Sequence, residues 1–393
     1  MNNLIIFDLD GVITSEEAYW DSAGLTLHEM LYAPHYWNLA DGKPYRPVTT
    51  AQESRHLSRA TFPEQHILSF KARALNSNWD TCYATICLHL ITLLSQLPES
   101  CDLRPFQPWD ANWLARLRDQ IARGGLAATW DIQALHQVWN KHHPFNLPVF
   151  HNATGLELFT HLDNYASQVL GYSVDGVFSR HQPFWRFCQD ILQEWHLGEQ
   201  LYSHTYHRLP TQLGKPGCIF FEQPLLPVEQ IRATLLALRK RGYILGIASG
   251  RVYQEAAQPL HRYGLLDYFD EHHIATYDVV EDAEKQLRER GDHTPLGKPH
   301  AFQFMAAADH SQAVAIVTGK TSGLFKIPLI AVGDSPSDIL SGRSAGALTV
   351  AVLTGARTRE ARELLLQCQP DFVISDMTRL PKLLARIENP IRR

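Results

Sequence analysis

The chain has 393 residues, a length that favours two domains, and 45% of them are hydrophobic while 20% are charged. That composition provides for a packed core and excludes a disordered chain. The net charge of -5 differs from the basic character of most nucleic-acid-binding proteins, and no apolar stretch approaches the roughly 18 residues of a membrane span. We therefore expect a globular protein with no nucleic-acid or membrane partner.

The first apolar run is short and is interrupted by Asp8 and Asp10, which is unlike a secretory signal, so we expect a cytoplasmic protein. The six cysteines form no CxxC pair, and a chain of this size does not depend on disulfide bonds to fold. We expect reduced and mostly buried thiols at Cys82, Cys87, Cys101, Cys188, Cys218 and Cys368.

The stretch LIIFDLDGVIT predicts a buried strand over residues 3–8 that delivers two acids to its carboxyl end. Residues i and i+2 of a strand point to the same side, so Asp8 and Asp10 start together at the edge where open α/β sheets bind ligands. Two carboxylates so close repel each other unless a cation or a shared proton relieves them, and Mg²⁺ is a hard, oxygen-seeking candidate. A solvated strand end before a glycine turn is the alternative.

Residues 15–224 predict a mainly helical domain inserted after this strand. Thr14 with Glu17 three residues later fits a capping box at its first helix. All tryptophans lie between Trp20 and Trp195, and we interpret them as core, with a substrate pocket as the alternative. Helical spacing is clearest in TCYATICLHLITLLSQL, DANWLARLRDQIARGG, AATWDIQALHQVWNKH and HQPFWRFCQDILQEWH.

After about residue 225, short apolar runs alternate with loops and helical patterns such as PVEQIRATLLALRKRG. This alternation predicts a doubly wound, Rossmann-like α/β sheet. The region 303–327 is left unassigned, although AIVTG within it resembles a strand. Buried parallel strands are predicted at 243–249, 272–276, 328–333, 348–353 and 371–375.

Two loops after these predicted strands carry groups suited to a phosphoryl group. Ser249 and Gly250 offer a hydroxyl and a backbone amide at a strand end. Arg251 follows them, as a substrate contact or as a helix cap. Lys298 lies in a restricted Gly-Lys-Pro loop and can neutralise a phosphoryl group and a carboxylate together. A second Gly-Lys-Pro at 214–216 precedes Ser249, so chain order assigns it to the exit from the helical domain.

Two further acids follow the predicted strand at 328–333. Asp334 comes directly after its terminal glycine, and Asp338 comes four residues later. If a helix begins at about Pro336, Asp338 lies in its first turn, near Asp334. A third acid at the carboxyl edge of a sheet is what a magnesium site needs to complete its protein ligands.

In this order, DLDGVIT, IASG, GKP and GDSPSD resemble the four motifs of the haloacid dehalogenase superfamily, which consists mostly of phosphatases and phosphomutases. The resemblance covers 1–14 and 225–393, and it implies a catalytic core there with 15–224 as a cap. GDSPSDILSGRSAGALTVAVLTG is similar to the phosphoglycolate phosphatase and β-phosphoglucomutase branch. A cap of about 200 residues is far larger than is usual in that branch, so its substrate preference does not carry over.

The resemblance implies a role for each catalytic residue. Asp8 would be the nucleophile that forms an aspartyl-phosphate, and Asp10 would protonate the leaving group and then activate water. Ser249 and the amide of Gly250 would hold phosphoryl oxygens, and Lys298 would neutralise developing charge.

The same resemblance implies a Mg²⁺ site. The side chains of Asp8 and Asp334 and the backbone carbonyl of Asp10 would bind the ion, and Asp338 would support them. Arg251 is kept as a further substrate contact.

We therefore expect a magnesium-dependent phosphatase that acts on a small or medium phosphomonoester, with the cap closing over the site and selecting the substrate. A phosphomutase would use the same residues, and a non-catalytic binding protein is a further alternative. A dehalogenase is disfavoured because Asp10 and the acidic fourth motif suit phosphoryl chemistry. The sequence identifies neither the substrate nor the oligomeric state.

Overall fold

The computed structural model divides into two compact units. The sheet unit comprises Met1–Glu16 and Glu222–Arg393, and the helical unit comprises Glu17–Phe221. The residues that the structure describes are 4–39, 45–46, 48, 50–71, 73, 75, 77–98, 102–150, 153, 155, 157–321 and 325–388.

The sheet unit contains a parallel sheet whose strands are β1 (Leu4–Phe7), β2 (Ile244–Ala248), β3 (Ile274–Ala275), β4 (Leu329–Gly333), β5 (Leu348–Val352) and β6 (Phe372–Ile374). Within the described residues the strand order is β3-β2-β1-β4-β5-β6. The chain runs from β1 to β2 and β3 on one side and then to β4 on the other. This reversal creates a switch point, where α/β sheets open a crevice at the carboxyl ends of their strands. The predicted doubly wound sheet is confirmed.

The position of β1 in the middle of the sheet explains why Leu4–Phe7 is entirely apolar. Leu4 lies opposite Ile244 on one neighbouring strand and Leu329 on the other, so β1 has no free edge. Ile5 and Phe7 belong to one apolar cluster, and Leu4 and Ile6 belong to another. A parallel strand buried on both faces needs apolar residues at every position.

Helices surround this sheet in the sheet unit. Short 3-10 helices lie at Leu266–Tyr268, Glu271–His273 and Met377–Arg379. The α-helices are α10 (Val228–Lys240), α11 (Tyr253–Arg262), α12 (Tyr277–Arg288), α13 (Phe302–Ala308), α14 (His310–Val317), α15 (Pro336–Ser344), α16 (Arg359–Gln367) and α17 (Leu380–Glu388).

The helical unit has no strand among its described residues. Its 3-10 helices are Pro144–Asn146, Pro148–Phe150 and Cys218–Phe221. Its α-helices are α1 (Glu17–Tyr32), α2 (Ala51–Thr61), α3 (Glu64–Lys71), α4 (Asn78–Ser95), α5 (Ala111–Gly124), α6 (Leu126–Thr129), α7 (Ile132–Lys141), α8 (Glu157–Leu170) and α9 (Pro183–Tyr206).

The strand-like interpretation of AIVTG is wrong, because its first three residues form the end of α14, which stops at Val317. The Asp309 side chain accepts a hydrogen bond from the Gln312 amide at 2.9 Å and so caps the start of that helix. Gly319 has a φ of +66° just beyond its end. The Asp309 cap at the start and the left-handed glycine beyond the end therefore favour a helix, although the apolar residues alone suit a strand.

The predicted capping box at Thr14 is also wrong. The first helix begins at Glu17, so Glu17 occupies its first position rather than its third. The Thr14 hydroxyl instead accepts a hydrogen bond from Arg251 at 3.1 Å and donates to Asp10 at 3.4 Å. The Thr14 hydroxyl, which the local pattern assigned to the helix N-terminus, is therefore used by Arg251 and Asp10 instead.

The tryptophans belong to the core of the helical unit, as predicted. Trp37, Trp113 and Trp195 are among its largest fully buried side chains. The remaining members of this apolar cluster or of its partly buried border are Trp20, Trp79, Trp109, Trp130, Trp139 and Trp185.

The cysteines that the structure describes form no disulfide bond. Cys368 is half-buried, while Cys82, Cys87, Cys188 and Cys218 are buried. Cys101 lies outside the described residues. Among the helices described, none combines the length and the apolar character that crossing a membrane requires.

A buried ion cluster connects distant parts of the helical unit. The Lys215 ammonium lies 2.6 Å from Glu29 Oε2 and 2.5 Å from Glu194 Oε2, and none of these side chains is more than 3% exposed. The Trp195 indole donates to Glu29 at 2.7 Å. This Lys215 belongs to the second Gly-Lys-Pro, so a charge needed by two buried carboxylates accounts for it without a catalytic role.

We predict that Lys215→Met destabilises the helical unit. Two carboxylates would remain buried without their cation, which costs about 3–5 kcal/mol of unfolding free energy. Urea unfolding followed by tryptophan fluorescence measures this loss. The control Lys141→Met changes an exposed lysine of α7 and should cost less than about 1 kcal/mol. Equal stability of the two variants would contradict the cluster's role.

Candidate active site

The carboxyl ends of β1, β2 and β4 bring most of the predicted site residues to one edge of the sheet unit. Asp8 follows β1 directly, and its backbone amide donates to the Val332 carbonyl on β4 at 2.8 Å. Ser249 follows β2, and Asp334 follows β4. Parallel pairing in register therefore sets the spacing of these side chains.

Lys298 is the centre of this edge. Its ammonium donates to Asp8 Oδ1 at 2.8 Å and to the Ala248 carbonyl at 2.7 Å. It also lies 2.7 Å from Asp338 Oδ1. One cation thus joins the end of β1 to the first turn of α15, and both carboxylates are buried.

Burial and neighbouring charges have opposing effects on the pKa values of Asp8 and Lys298. Burial raises the pKa of the Asp8 carboxyl to about 8, and Asp338 and Asp10 add to the rise, although the Lys298 ammonium lowers it. Burial lowers the pKa of Lys298, but the Asp338 and Asp8 carboxylates outweigh that effect and raise it above its usual value. A bound divalent cation would favour the ionised form of Asp8.

The N-terminus of α15 fixes Asp338. Its Oδ2 accepts a hydrogen bond from the Ser335 amide at 3.1 Å, and its own amide donates to the Ser335 hydroxyl at 3.3 Å, which forms a capping box. The Ser335 hydroxyl also donates to Oδ2 at 2.7 Å. The helix begins at Pro336, so the expectation that Asp338 lies in its first turn is confirmed. A Cβ on Gly333 would lie 2.2 Å from the Asp338 Cβ, so only glycine leaves room there.

Two glycines form a cradle around the half-buried Asp334. A Cβ on Gly355 would lie 1.7 Å from Asp334 Oδ2, and a Cβ on Gly11 would lie 2.0 Å from the same oxygen. Gly11 also has a φ of +76°, which favours glycine. The backbone therefore approaches this carboxylate more closely than any side chain would allow.

The donor set fits Mg²⁺. Asp8, Asp334 and Asp338 each offer one carboxylate oxygen, and these oxygens lie within 4.8 Å of one another. Hard oxygen ligands and a small number of carboxylates are what this ion prefers. Both oxygens of Asp338 are already engaged, Oδ1 by Lys298 and Oδ2 by Ser335, so Asp338 suits a supporting position better than direct ligation.

Asp10 is held by a buried arginine. Arg251 Nε donates to Asp10 Oδ2 at 3.0 Å, and a second nitrogen of the guanidinium donates to Oδ1. The same guanidinium donates to both oxygens of Glu222, at 2.9 and 3.1 Å. Burial raises the pKa of Glu222 to about 7, although the Arg251 charge lowers it. Arg251 thus bridges two carboxylates, and its contact with substrate stays a prediction.

Ser249 and Gly250 differ sharply in exposure. Ser249 is fully buried, and its hydroxyl accepts a hydrogen bond from the Arg251 amide at 3.3 Å. Its carbonyl accepts one from the Gln303 side chain. Gly250 is exposed, with open space around it. The two residues therefore supply a buried hydroxyl and an accessible backbone at the end of β2.

The sequence interpretation missed Glu222 and Gly355. Glu222 interrupts the apolar run CIFFEQ just as Asp8 ends LIIF, and a buried acid after aromatic residues is a usable signal. Gly355 carries no comparable signal, because its role appears only where the backbone meets Asp334.

A family model and two named relatives align with part of this chain. Residues 295–380 match a family model described as HAD-hydrolase-like. The pyrophosphatase PpaX of Bacillus mycoides (strain KBAB4) is 29% identical over 159 residues, which is 40% of this chain and, at 60%, less than two thirds of that relative. The pyrophosphatase PpaX of Bacillus cereus (strain B4264) is 22% identical over 209 residues, which cover 53% of this chain and 76% of that protein.

The whole chain also has a solved counterpart. The X-ray structure of Northeast Structural Genomics Consortium target ZR25 matches with a TM-score of 0.76 and 28% identity. The match covers 98% of this chain and 99% of that one, so it includes the helical unit as well as the sheet.

We predict that Gly355→Ala weakens Mg²⁺ binding without unfolding the protein. The added Cβ displaces the Asp334 carboxylate, and disturbing the surroundings of a ligand typically lowers metal affinity by about 10–100-fold. Isothermal titration with Mg²⁺ measures the change. In the control Gly124→Ala, the Cβ meets nothing closer than 3.7 Å. An unchanged affinity in Gly355→Ala would contradict ligation by Asp334.

We predict that Glu222→Gln lowers kcat by about 10-fold or more, with little change in KM, because the guanidinium that holds Asp10 loses its second carboxylate. Steady-state kinetics measures both constants. Asp10→Asn should lower kcat by about 10²–10⁴-fold. Glu229→Gln changes an exposed glutamate of α10 and should leave kcat unchanged. A normal kcat in Glu222→Gln would show that Glu222 does not position Asp10.

Proposed function

Because this chain belongs to the haloacid dehalogenase superfamily of hydrolases, we propose that it is a magnesium-dependent phosphatase that works through an aspartyl-phosphate on Asp8. The observation that carries this proposal is the Lys298 ammonium between Asp8 and Asp338, with an Asp334 oxygen within 4.8 Å of both carboxylates. A nucleophile, a fixed cation and metal-ligating oxygens in one place are what phosphoryl transfer needs.

In the first step, an Asp8 oxygen attacks phosphorus and the bond to the leaving oxygen breaks. Asp10 donates a proton to that oxygen, which leaves as an alcohol. Lys298 stabilises the negative charge on the phosphoryl oxygens, while the Ser249 hydroxyl and the Gly250 amide orient them.

In the second step, Asp10 takes a proton from water, and the water oxygen attacks the phosphorus of the aspartyl-phosphate. The bond between phosphorus and the Asp8 oxygen breaks, which releases phosphate and restores the carboxylate. Arg251 and Glu222 keep Asp10 in place through both proton transfers.

Mg²⁺ would be held by the side chains of Asp8 and Asp334 and the carbonyl of Asp10, with Asp338 in support. When bound, the ion supplies positive charge to the phosphoryl oxygens and relieves the repulsion among the acids. The cradle at Gly11 and Gly355, which leaves space for a carboxylate and for no Cβ, supports this assignment.

The substrate class is a small or medium phosphomonoester, and we propose that the helical unit selects it. Inorganic pyrophosphate is a second candidate, because both curated relatives described above are named pyrophosphatases. Phosphomutase activity would use the same residues, with the phosphoryl group passed to a second hydroxyl of the substrate rather than to water.

We predict that the wild type releases phosphate from p-nitrophenyl phosphate or pyrophosphate only with Mg²⁺, and that Asp8→Asn abolishes this release. The amide is a poor nucleophile and a poor metal ligand. Asp267→Asn alters an exposed acid of the sheet unit and serves as the matched control.

A panel of phosphorylated metabolites, scored for free phosphate and for isomerised product, separates hydrolysis from intramolecular transfer. Full activity in Asp8→Asn would overturn the nucleophile assignment. No turnover of any compound by the wild type with Mg²⁺ would favour a binding protein.

A further inference from the structure

Four buried histidines gather in the helical unit, and none of them is among the candidate site residues described above. His66 lies on α3, His89 on α4 and His136 on α7, while His143 caps the 3-10 helix Pro144–Asn146. Their exposed fractions are 1%, 0%, 3% and 7%. Histidine is rarely this buried without a partner, so four together need an explanation.

The four rings form a continuous series of contacts. The His66 ring centroid lies 4.8 Å from that of His136 and 5.9 Å from that of His143. His136 and His89 are 5.8 Å apart. Trp139 covers the series, at 4.5 Å from His89 and 5.6 Å from His66.

The ring nitrogens of this series have no hydrogen-bond partners among the described residues, with one exception. Both nitrogens of His66, His89 and His136 and the Nε2 of His143 are buried and unpartnered. The exception, His143 Nδ1, accepts a hydrogen bond from the Phe145 amide at 3.3 Å. The Asn140 side chain lies near His66 but makes no hydrogen bond of good geometry with it. Such groups in a core are normally satisfied by a partner, a water or an ion.

The rings are in the protonation state that a metal requires. Burial lowers the pKa of His66 to about 3 and the pKa values of His136 and His143 to about 4. Burial also lowers the pKa of His89 well below its usual value. Each imidazole is therefore neutral near pH 7, with a lone pair available for coordination.

We propose that His66, His89, His136 and His143 provide a structural site for a divalent transition-metal ion of the zinc class. A donor set made only of imidazole nitrogens suits Zn²⁺, Co²⁺, Ni²⁺ or Cu²⁺ and does not suit Mg²⁺. The site is enclosed, as structural zinc sites are, so it would join α3, α4, α7 and the 3-10 segment rather than act on a substrate.

Coordination requires the rings to turn. Zinc–nitrogen distances of about 2.0–2.1 Å place the centroids of imidazoles around a tetrahedral ion roughly 5 Å apart. The three successive pairs of the series, at 4.8, 5.9 and 5.8 Å, are close to that spacing. In the described residues, however, three metal-ligating oxygen or nitrogen atoms within 4.8 Å of one another occur at Asp8, Asp334 and Asp338 and not among these histidines. Rotation about the χ angles must therefore bring at least three nitrogens to one point.

The test uses the full chain after chelation and metal removal, and the metals themselves as probes. The variant Asp334→Asn weakens the carboxylate site, so that the remaining ion reports on the histidines. We expect one equivalent of Zn²⁺ to stay bound to this variant, and Co²⁺ to give the strong visible absorption of tetrahedral nitrogen ligation. X-ray absorption at the zinc edge should count three or four imidazole ligands.

Histidine variants identify the ligands. His66→Phe and His136→Phe should lose the Co²⁺ absorption, whereas His142→Phe, at an exposed position beside His143, should keep it. In the Asp334→Asn background, saturating Zn²⁺ should raise the melting temperature by about 5 °C, and the further change His66→Phe should remove that rise.

If the phenylalanine variants do not fold, the zinc-edge count on Asp334→Asn decides the question alone. Absence of bound zinc from Asp334→Asn, or an oxygen-only shell around it, would overturn the proposal. An equal zinc-induced shift of the melting temperature in Asp334→Asn with and without a folded His66→Phe change would overturn it too. In either case the rings are an aromatic core whose nitrogens are hydrated.

Discussion

The site depends on one buried ammonium. Lys298 separates the Asp8 and Asp338 carboxylates, which would otherwise lie together in a poorly solvated space. Asp338 belongs to the helix that it caps through Ser335, so the same contact sets the position of α15 against the end of β1. The Lys298 ammonium, which offsets the repulsion between these carboxylates in the folded protein, is also the positive charge that a bound phosphoryl group would contact. Stability and proposed chemistry therefore rest on the same three side chains.

Local signals in the sequence predicted much of this arrangement. Apolar runs that are buried on both faces located the strands, and acids directly after LIIF and LIAVG located the sheet edge. The Asp338 position followed from its distance to Pro336, since a helix start is a short-range event. These features depend on residues a few positions apart, so they can be recognised in the sequence without knowledge of tertiary contacts.

Long-range contacts were beyond that kind of inference. Arg251 and Asp10 are 241 residues apart in the chain, and nothing near either residue indicates that they pair. Gly355 is required only because the chain returns to Asp334 from β5. His66, His89 and His136 follow no metal-ligand spacing and meet only when three helices pack. In each case the contact forms only when distant segments pack together, so the residues next to each partner in the sequence do not indicate it.

The Arg251 guanidinium has a consequence for how the chain is divided. It bonds to Thr14, just before the chain leaves the sheet unit, and to Glu222, the first residue after it returns. Backbone hydrogen bonds from the Ser15 amide to the Gln223 carbonyl and from the Leu225 amide to the Ile13 carbonyl join the same two segments of chain. The ends of the insertion are thus held together by the sheet unit itself. An insertion anchored in this way can change in length or sequence without moving Asp10, which is a physical route by which one catalytic edge can acquire new substrates.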